Sequence, residues 1–339
     1  MKIIPFSDPL LWDEKISEHE EATIFHSSAW AKVIDETYGH RSELYEISKE
    51  CLLPITEINS KVTGKRGHCV PFADRCSILG NAENIPDEVI DVAQDRRWEK
   101  LEIRGENEIP EKVPASASYV RHLIHLGSET EKHFSQSAKR GVKKAERSGL
   151  IAKVVSPSDS LGVERYYKLH TQTRRRHGLP PQPVRFFRAI QRHIISEKLG
   201  FVVEIEERGS SRVIASAVFF QFGKTAFYKF GASDATAWSL RPNNLLFAHA
   251  IRHLCECALF SELDLGRSDL PDTELHRFKR GWGAKEFPLS YFSYRLVDKK
   301  WISGTSPDSA KDKIHNRIFR SLPQSMNRLA GSLLYPHLS

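Results

Sequence analysis

From residue 150 onward the spacing of apolar and polar positions changes several times, and each change marks an element. Ile151–Val155 (IAKVV), FVVEIEE from Phe201, RVIASAVFFQF from Arg212 and TAFYKFGA from Thr225 show the β-branched and aromatic content of strands. Gly209-Ser210-Ser211 and Gly223-Lys224 fall at the two joints between the last three runs, which predicts hairpins. Helices are expected over 162–177 and, after the breaker Pro180-Pro181-Gln182-Pro183, over 184–198. Pro242-Asn243-Asn244 opens another helix, reaching about Leu259, that is apolar round most of its circumference and therefore largely buried. A strand at 262–265, a short helix at 273–280, the Gly281-Trp282-Gly283 turn and a strand from Leu289 (LSYFSYRL) follow. The order β-α-α-β-β-β-α-β-α-β predicts an α/β chain with a mixed sheet flanked by helices on both faces.

The first 126 residues echo this order. A helix over 29–38, strands ELYEIS from Glu43 and LLPITEI from Leu52, a helix over 87–94 and strands LEIR from Leu101 and VRHLIHL from Val120 suggest a diverged duplication. We therefore expect domains at 1–128 and 150–300, joined by a basic helical linker at 129–149. A basic helical tail at 301–339 is expected to pack back on the first domain. In that tail Lys311, Lys313, Arg317, Arg320 and Arg328 face a single acid, Asp312, and Ile314, Ile318 and Phe319 recur at helical spacing. Laid on the inner face of a membrane, such a segment would suit a lipid-linked partner.

Composition narrows the class. The chain has 339 residues, 40% of them hydrophobic and 27% charged, enough apolar material for two cores. No stretch approaches the roughly 18 apolar residues of a membrane span, and acidic residues interrupt the N-terminus, so a cytoplasmic protein is expected. The net charge of +7 favours anionic partners, whether nucleic acid, phosphorylated carriers or a membrane face. Of the five cysteines, Cys255 and Cys257 fall in the apolar helix and read as core thiols rather than a metal site. No metal site is expected.

Several motifs together resemble the FemAB-like acyltransferases of the GNAT superfamily. They are FHSSAWAKVIDETYGH (25–40), VPFADRCSILG (70–80), SAKRGVKKAERSGL (137–150), LRPNNLLFAHAIRH (240–253) and LDLGRSD with HRFKRGWGA (263–284). The resemblance implies two tandem GNAT-like domains and transfer of an acyl group, acetyl or aminoacyl, to an amine or hydroxyl of a cell-envelope, peptidoglycan or polysaccharide precursor. Members of the family take amino acids from charged tRNA; GNAT enzymes at large take acyl groups from acyl-CoA. This chain lacks the long helical arm of some tRNA-using members. It also has Leu240-Arg241-Pro242-Asn243-Asn244 where CoA-using enzymes carry a glycine-rich pyrophosphate loop. The donor, acyl-CoA or aminoacyl-tRNA, stays open, and no tightly bound cofactor is expected.

Acyl transfer needs a positioned acceptor, charge stabilisation and proton transfer, and no G-x-S-x-G elbow points to a serine nucleophile. By the resemblance, Lys279 of the Phe-Lys motif stabilises transition-state charge and Phe278 packs beneath the reacting group; otherwise Lys279 is a surface lysine. Arg267, ending a strand, either grips a phosphate or carboxylate or pairs with Asp264 or Asp269. Tyr228, mid-strand, is a catalytic hydroxyl or a core tyrosine. Asp74 accepts a proton or holds a turn. Asn244 stands at a helix start that favours anions, beside Asn243, which reads as a cap. Trp282 joins the substrate-binding set through its glycine-flanked turn. Arg140, Lys143, Lys144 and Arg147 form a basic helical face for tRNA or a nucleotide-linked sugar, or a solvated run. A non-catalytic module binding RNA or glycan through that face is the competing reading.

Overall fold

In the computed structural model, which describes the chain apart from residues 1, 6, 49–50, 81–86, 106–112, 305–315 and 338–339, two units form. The first comprises Met1–Val120, Pro288–Pro307 and Leu333–Ser339, and the second Arg121–Phe287 and Asp308–Ser332.

The first unit holds β1 (Lys2–Pro5), α1 (Pro9–Ser17), α2 (Ser28–Tyr38), β2 (Arg41–Ser48), β3 (Cys51–Ser60), β4 (Gly64–His68), α3 (Asp87–Asp95) and β5 (Lys100–Gly105). Strands β1 to β4 run antiparallel, and β5 returns after α3 to lie parallel to β4. A parallel neighbour needs such a crossover, which here is the helix. β4 (GKRGH) has no apolar residue and its sequence does not announce a strand. It forms because β3 and β5 flank it, and Gly67 leaves room for the Trp98 ring, from which a Cβ would stand only 2.2 Å.

Two strands straddle the unit boundary: β6 (Ala117–His125) and, far along the chain, β12 (Lys285–Arg295). Between them come α4 (Gln136–Arg147), β7 (Leu150–Val155), α5 (Gly162–Arg176), α6 (Val184–Ile190), β8 (Gly200–Glu207), β9 (Val213–Phe222), β10 (Thr225–Ser233), α7 (Pro242–Cys257), β11 (Glu262–Asp269) and α8 (Thr273–Arg280). β13 (Lys300–Trp301) pairs with β12, and α9 (Gln324–Leu334) lies near the C-terminus. In the second unit β7 to β10 are antiparallel and β11 returns after α7 parallel to β10. The antiparallel run, crossover helix and parallel strand thus occur twice, as the echo between the halves predicts. Each sheet then takes a strand from the other half of the sequence: β12 pairs with β5, and β6 lies beside β11.

The helix expected over 184–198 ends at Ile190 and continues as a π-type turn over Gln191–Ile195. The basic segment expected as a linker lies within the second unit, where α4 buries Ala138, Gly141, Val142 and Ala145 and leaves Arg140, Lys143, Lys144 and Arg147 exposed. The tail divides: residues to Ser332 belong to the second unit and Leu333–Ser339 to the first, while Lys311, Asp312, Lys313 and Ile314 lie outside the described residues. Cys257 corrects the expectation of a core thiol, because it sits exposed on the last turn of α7; Cys255 is half-buried and Cys51, Cys69 and Cys76 are buried. Among the described residues no helix is long and apolar enough to cross a membrane.

Two buried histidines tie the fold to pH. His26 faces Thr23 and the Ser77 carbonyl, and His170 sits between the Tyr166 hydroxyl and Gln182. Burial lowers their pKa values to about 4 and about 3, so both rings are neutral in the fold. Unfolded, each takes up a proton near pH 6.5. Their contribution to stability is therefore complete above about pH 6.5 and is lost as the pH falls toward 4, at up to about 1.4 kcal/mol per histidine per pH unit. Urea midpoints at pH 7.5 and 5 should show this fall, and His170→Gln should shrink it; an unchanged pH dependence in the variant would contradict the assignment.

Candidate functional site

The site begins where two strands part. β10 and β11 pair in parallel only over Thr225–Phe227 and Glu262–Asp264. Beyond this, β10 bulges between Tyr228 and Phe230 and stays with β9 as far as Ser233, while β11 runs on to Asp269. A strand that leaves its neighbour needs new partners for its backbone groups. Side chains supply them here. Gly266, at φ +70, donates its N–H to the Asp264 carboxylate at 2.7 Å, and the carbonyls of Gly266 and Arg267 accept from Lys279 Nζ at 2.8 and 3.1 Å. Asp264 is in turn held by Arg121 Nε at 2.7 Å, both side chains being buried.

Lys279 is only 4% exposed. It is not the surface lysine of the alternative reading but a buried ammonium fixed by two carbonyls at the point of parting. α8 places it there through an N-cap, with Asp272 accepting from the Leu275 N–H, and by burying His276 and Lys279, one turn apart, on a single face. Arg267 is half-buried beside it; Asp264, one of its two suggested partners, is engaged by Arg121.

Below the parting lies an aromatic cluster. The Tyr228 ring is 4.7 Å from Phe247, which is 5.2 Å from Phe278 and stacks on Trp282 at 5.6 Å; Phe134 meets the Trp282 edge at 5.0 Å. Trp282 is core material at 1% exposure, with one edge on a cavity of about 320 Å³ shared with Ile124, Leu126, His133 and Lys285. Phe278 packs in the same cluster. The Tyr228 hydroxyl lies over Gly231, where a Cβ would come within 1.9 Å of it. Burial pushes that phenol up to about 12, so it is a neutral hydroxyl near pH 7 and not a ready base.

Asn244 stands in the first turn of α7 with its amide against Gly141 of α4, where a Cβ would be 2.6 Å away. The helix start offers few donors to an anion. Pro242 has no N–H, and that of Asn244 already reaches the Arg241 carbonyl at 3.1 Å. Asn243 caps no backbone group in the expected way; its amide donates to Ser233 Oγ at 3.3 Å. Thus Lys279, Arg267, Tyr228, Phe278, Trp282 and Asn244 come together on elements around the strand parting, with Arg140 on the outer face of α4.

Asp74 belongs to the first unit, in a loop whose carbonyls are tied down in sequence. Trp30 donates to Pro71, Arg104 to Ala73 and the Tyr291 hydroxyl to Asp74. Val70 and Phe72 hold left-handed backbone there, at φ 31 and 62, a strain that such ties sustain.

Sequence reading missed the Arg121–Asp264 pair and a group of His122, His276 and Glu286 that could hold a metal ion. These come from β6, α8 and β12, with no spacing that links them. The one visible signal was His276, a helical turn before Lys279.

Residues 132–280 match the family described as Acetyltransferase (GNAT) domain. No curated protein matches in sequence. Among solved structures, the chain is similar to FemX, with 12% identity over 88% of this chain and 98% of that one and a TM-score of 0.68. It is similar to L-PGS from Bacillus licheniformis at 11% identity, covering 93% and 98%, with a TM-score of 0.57. A tandem GNAT protein from the clavulanic acid biosynthesis pathway aligns at 7% identity, covering 87% and 98%, with a TM-score of 0.50. These likenesses show the fold.

Because Trp282 serves the core, Trp282→Ala should cost about 3–5 kcal/mol of stability. Urea unfolding would measure it, and a loss below about 1 kcal/mol would show that the indole is not a packing residue.

Proposed function

We propose that this chain, which carries a GNAT acetyltransferase domain over residues 132–280, is a FemAB-like acyltransferase that passes an acyl group from an activated donor to an amine or hydroxyl of a cell-envelope or polysaccharide precursor. One observation carries the reading: the buried Lys279 ammonium, locked where β11 leaves β10. When the acceptor attacks the acyl carbonyl carbon, negative charge develops on the carbonyl oxygen. A cation already fixed by the protein stabilises that charge without reorganising. The intermediate then collapses, the bond to the donor breaks, and the proton lost by the acceptor is balanced by one gained by the leaving group. Tyr228, a neutral hydroxyl near the same parting, is proposed to orient a group or give a proton. Arg267 and the exposed Arg140 face are proposed to bind anionic parts of donor or acceptor. Phe278, packed against Phe247 and Trp282, is proposed to support the reacting group, and Asp74 is proposed to meet the acceptor on the first unit.

Acyl-CoA is the donor that a GNAT domain implies. The α7 start, with Pro242 and an engaged Asn244 N–H, gives its pyrophosphate a thin cradle, so aminoacyl-tRNA stays the second donor to test. Envelope acceptors are favoured by the likeness to FemX and by the +7 charge, which suits a phosphorylated carrier. Purified protein should release thiol from acyl-CoA or deacylate charged tRNA in the presence of an amine acceptor pool. Lys279→Ala should lower kcat/KM by about 100- to 1000-fold. Absence of turnover with every donor, together with salt-sensitive RNA or glycan binding untouched by Lys279→Ala, would instead favour the binding-module reading.

The tail suits an anionic membrane surface. Met326, Leu329 and Leu333 lie on one face of α9, between 54% and 64% exposed, and Arg317, Arg320 and Arg328 accompany them with no acidic residue from 316 to 337. Apolar anchors beside cations are the pattern of an interfacial helix. The protein should therefore sediment with phosphatidylglycerol vesicles and not with phosphatidylcholine alone, and Leu329→Ser with Arg328→Gln should release it. Equal sedimentation of variant and parent would count against this contact.

A further inference from the structure

Beside the buried lysine, three potential ligand atoms from distant parts of the sequence converge. His122 Nε2 and His276 Nδ1 face the same oxygen of Glu286, at 3.2 and 3.0 Å, and the three atoms lie within 4.8 Å of one another. Both imidazoles are buried, their rings 5.0 Å apart, whereas the Glu286 side chain is 34% exposed.

Hydrogen counting makes the arrangement informative. His276 Nε2 lies 3.0 Å from the Asp269 carbonyl. A carbonyl can only accept, so this nitrogen carries the hydrogen, and a neutral His276 then presents a lone pair at Nδ1. That lone pair points at a carboxylate oxygen, which is also an acceptor. Two acceptors this close require a positive centre between them, either a proton on Nδ1 or a metal ion. On the other ring, His122 Nδ1 stands 3.5 Å from Ser268 Oγ, and donation of its N–H to that hydroxyl leaves the Nε2 lone pair for the same centre.

We propose that His122, His276 and Glu286 bind a divalent transition-metal ion of the zinc type, with a fourth position open to water on the exposed side of Glu286. Two imidazoles and one carboxylate are a ligand set of that class, and a vacant fourth position is its common form. The Asp269 carbonyl and Ser268 hydroxyl supply the outer contacts that orient ligating histidines. One ion satisfies all three groups at once, whereas without it the cluster needs both a proton on His276 Nδ1 and the Nε2–H tautomer of His122. The nearby cations do not close the site. Lys279 Nζ donates to the Gly266 and Arg267 carbonyls, and Arg280, 3.6 Å from Glu286, is 57% exposed and can turn to solvent. Bound there, the ion would clamp β6, α8 and the start of β12. It would fix the helix that carries Lys279, acting on position and not on the reacting atoms.

This proposal does not rest on the acyl-transfer reading, and its test needs no turnover. Untagged, chelator-stripped protein is titrated with Zn²⁺ by calorimetry and with Co²⁺ by visible absorbance. Wild type should take up about one equivalent, with Co²⁺ giving the intense bands of a four-coordinate site. His276→Gln and the exposed-position variant Glu286→Gln should each weaken uptake by about 100-fold, and Ser268→Ala by about 10-fold. Glu286→Gln keeps the test sound if a buried-histidine variant fails to fold. The proposal is overturned if wild type shows no saturable uptake and ¹⁵N NMR finds His276 Nδ1 protonated and indifferent to Zn²⁺, or if both variants bind as wild type does.

Discussion

The parting of β10 from β11 after Phe227 and Asp264 is the constraint on which the arrangement around Lys279 depends. Where a ladder ends inside a protein, its carbonyls must be satisfied or the strand must reach water. Here the strand stays inside, and a lysine ammonium on the following helix supplies the donors. Gly266, at φ +70, and the buried Arg121–Asp264 pair meet the same demand, since Asp264 accepts from the Gly266 N–H. A charged group that completes the fold is also held still, and stillness is what electrostatic catalysis requires. The structural role of Lys279 and the role proposed for it in transfer thus draw on one arrangement.

The duplicated topology explains why such a parting exists. In each unit an antiparallel run is followed by a helix and a parallel strand, and a parallel neighbour reached across a helix need not stay paired along its length. In the first unit β4 and β5 pair over three residues, Arg66–His68 with Lys100–Glu102, as β10 and β11 do in the second. The first unit fills the region beyond with the tied loop containing Asp74, whereas the second leaves Lys279 there.

Much of this was legible in the chain. Period-two runs and their glycine joints marked β8, β9 and β10, and the wrap-round apolar helix at 242–257 came out buried. The family motifs pointed to Lys279 and to its aromatic neighbours. What stayed hidden depends on tertiary partners. β4 is a strand only because its neighbours make it one. Trp282 looked like a ligand-facing aromatic between two glycines, but Gly283, at φ +81, serves the turn while the indole fills the core. The domain boundaries read at 128 and 300 could not anticipate that β6 and β12 each serve the sheet of the other half. Nothing in the sequence joins His122, His276 and Glu286, since β6, α8 and β12 meet only in the fold.

The central claim is that Lys279 meets the oxygen that becomes charged during transfer. A crystal structure with an unreactive analogue of the acyl donor tests it most directly. The account predicts the analogue's carbonyl oxygen within about 3 Å of Lys279 Nζ, beside the parted ends of β10 and β11. An analogue bound elsewhere, with its carbonyl oxygen out of reach of Lys279 Nζ, would contradict it.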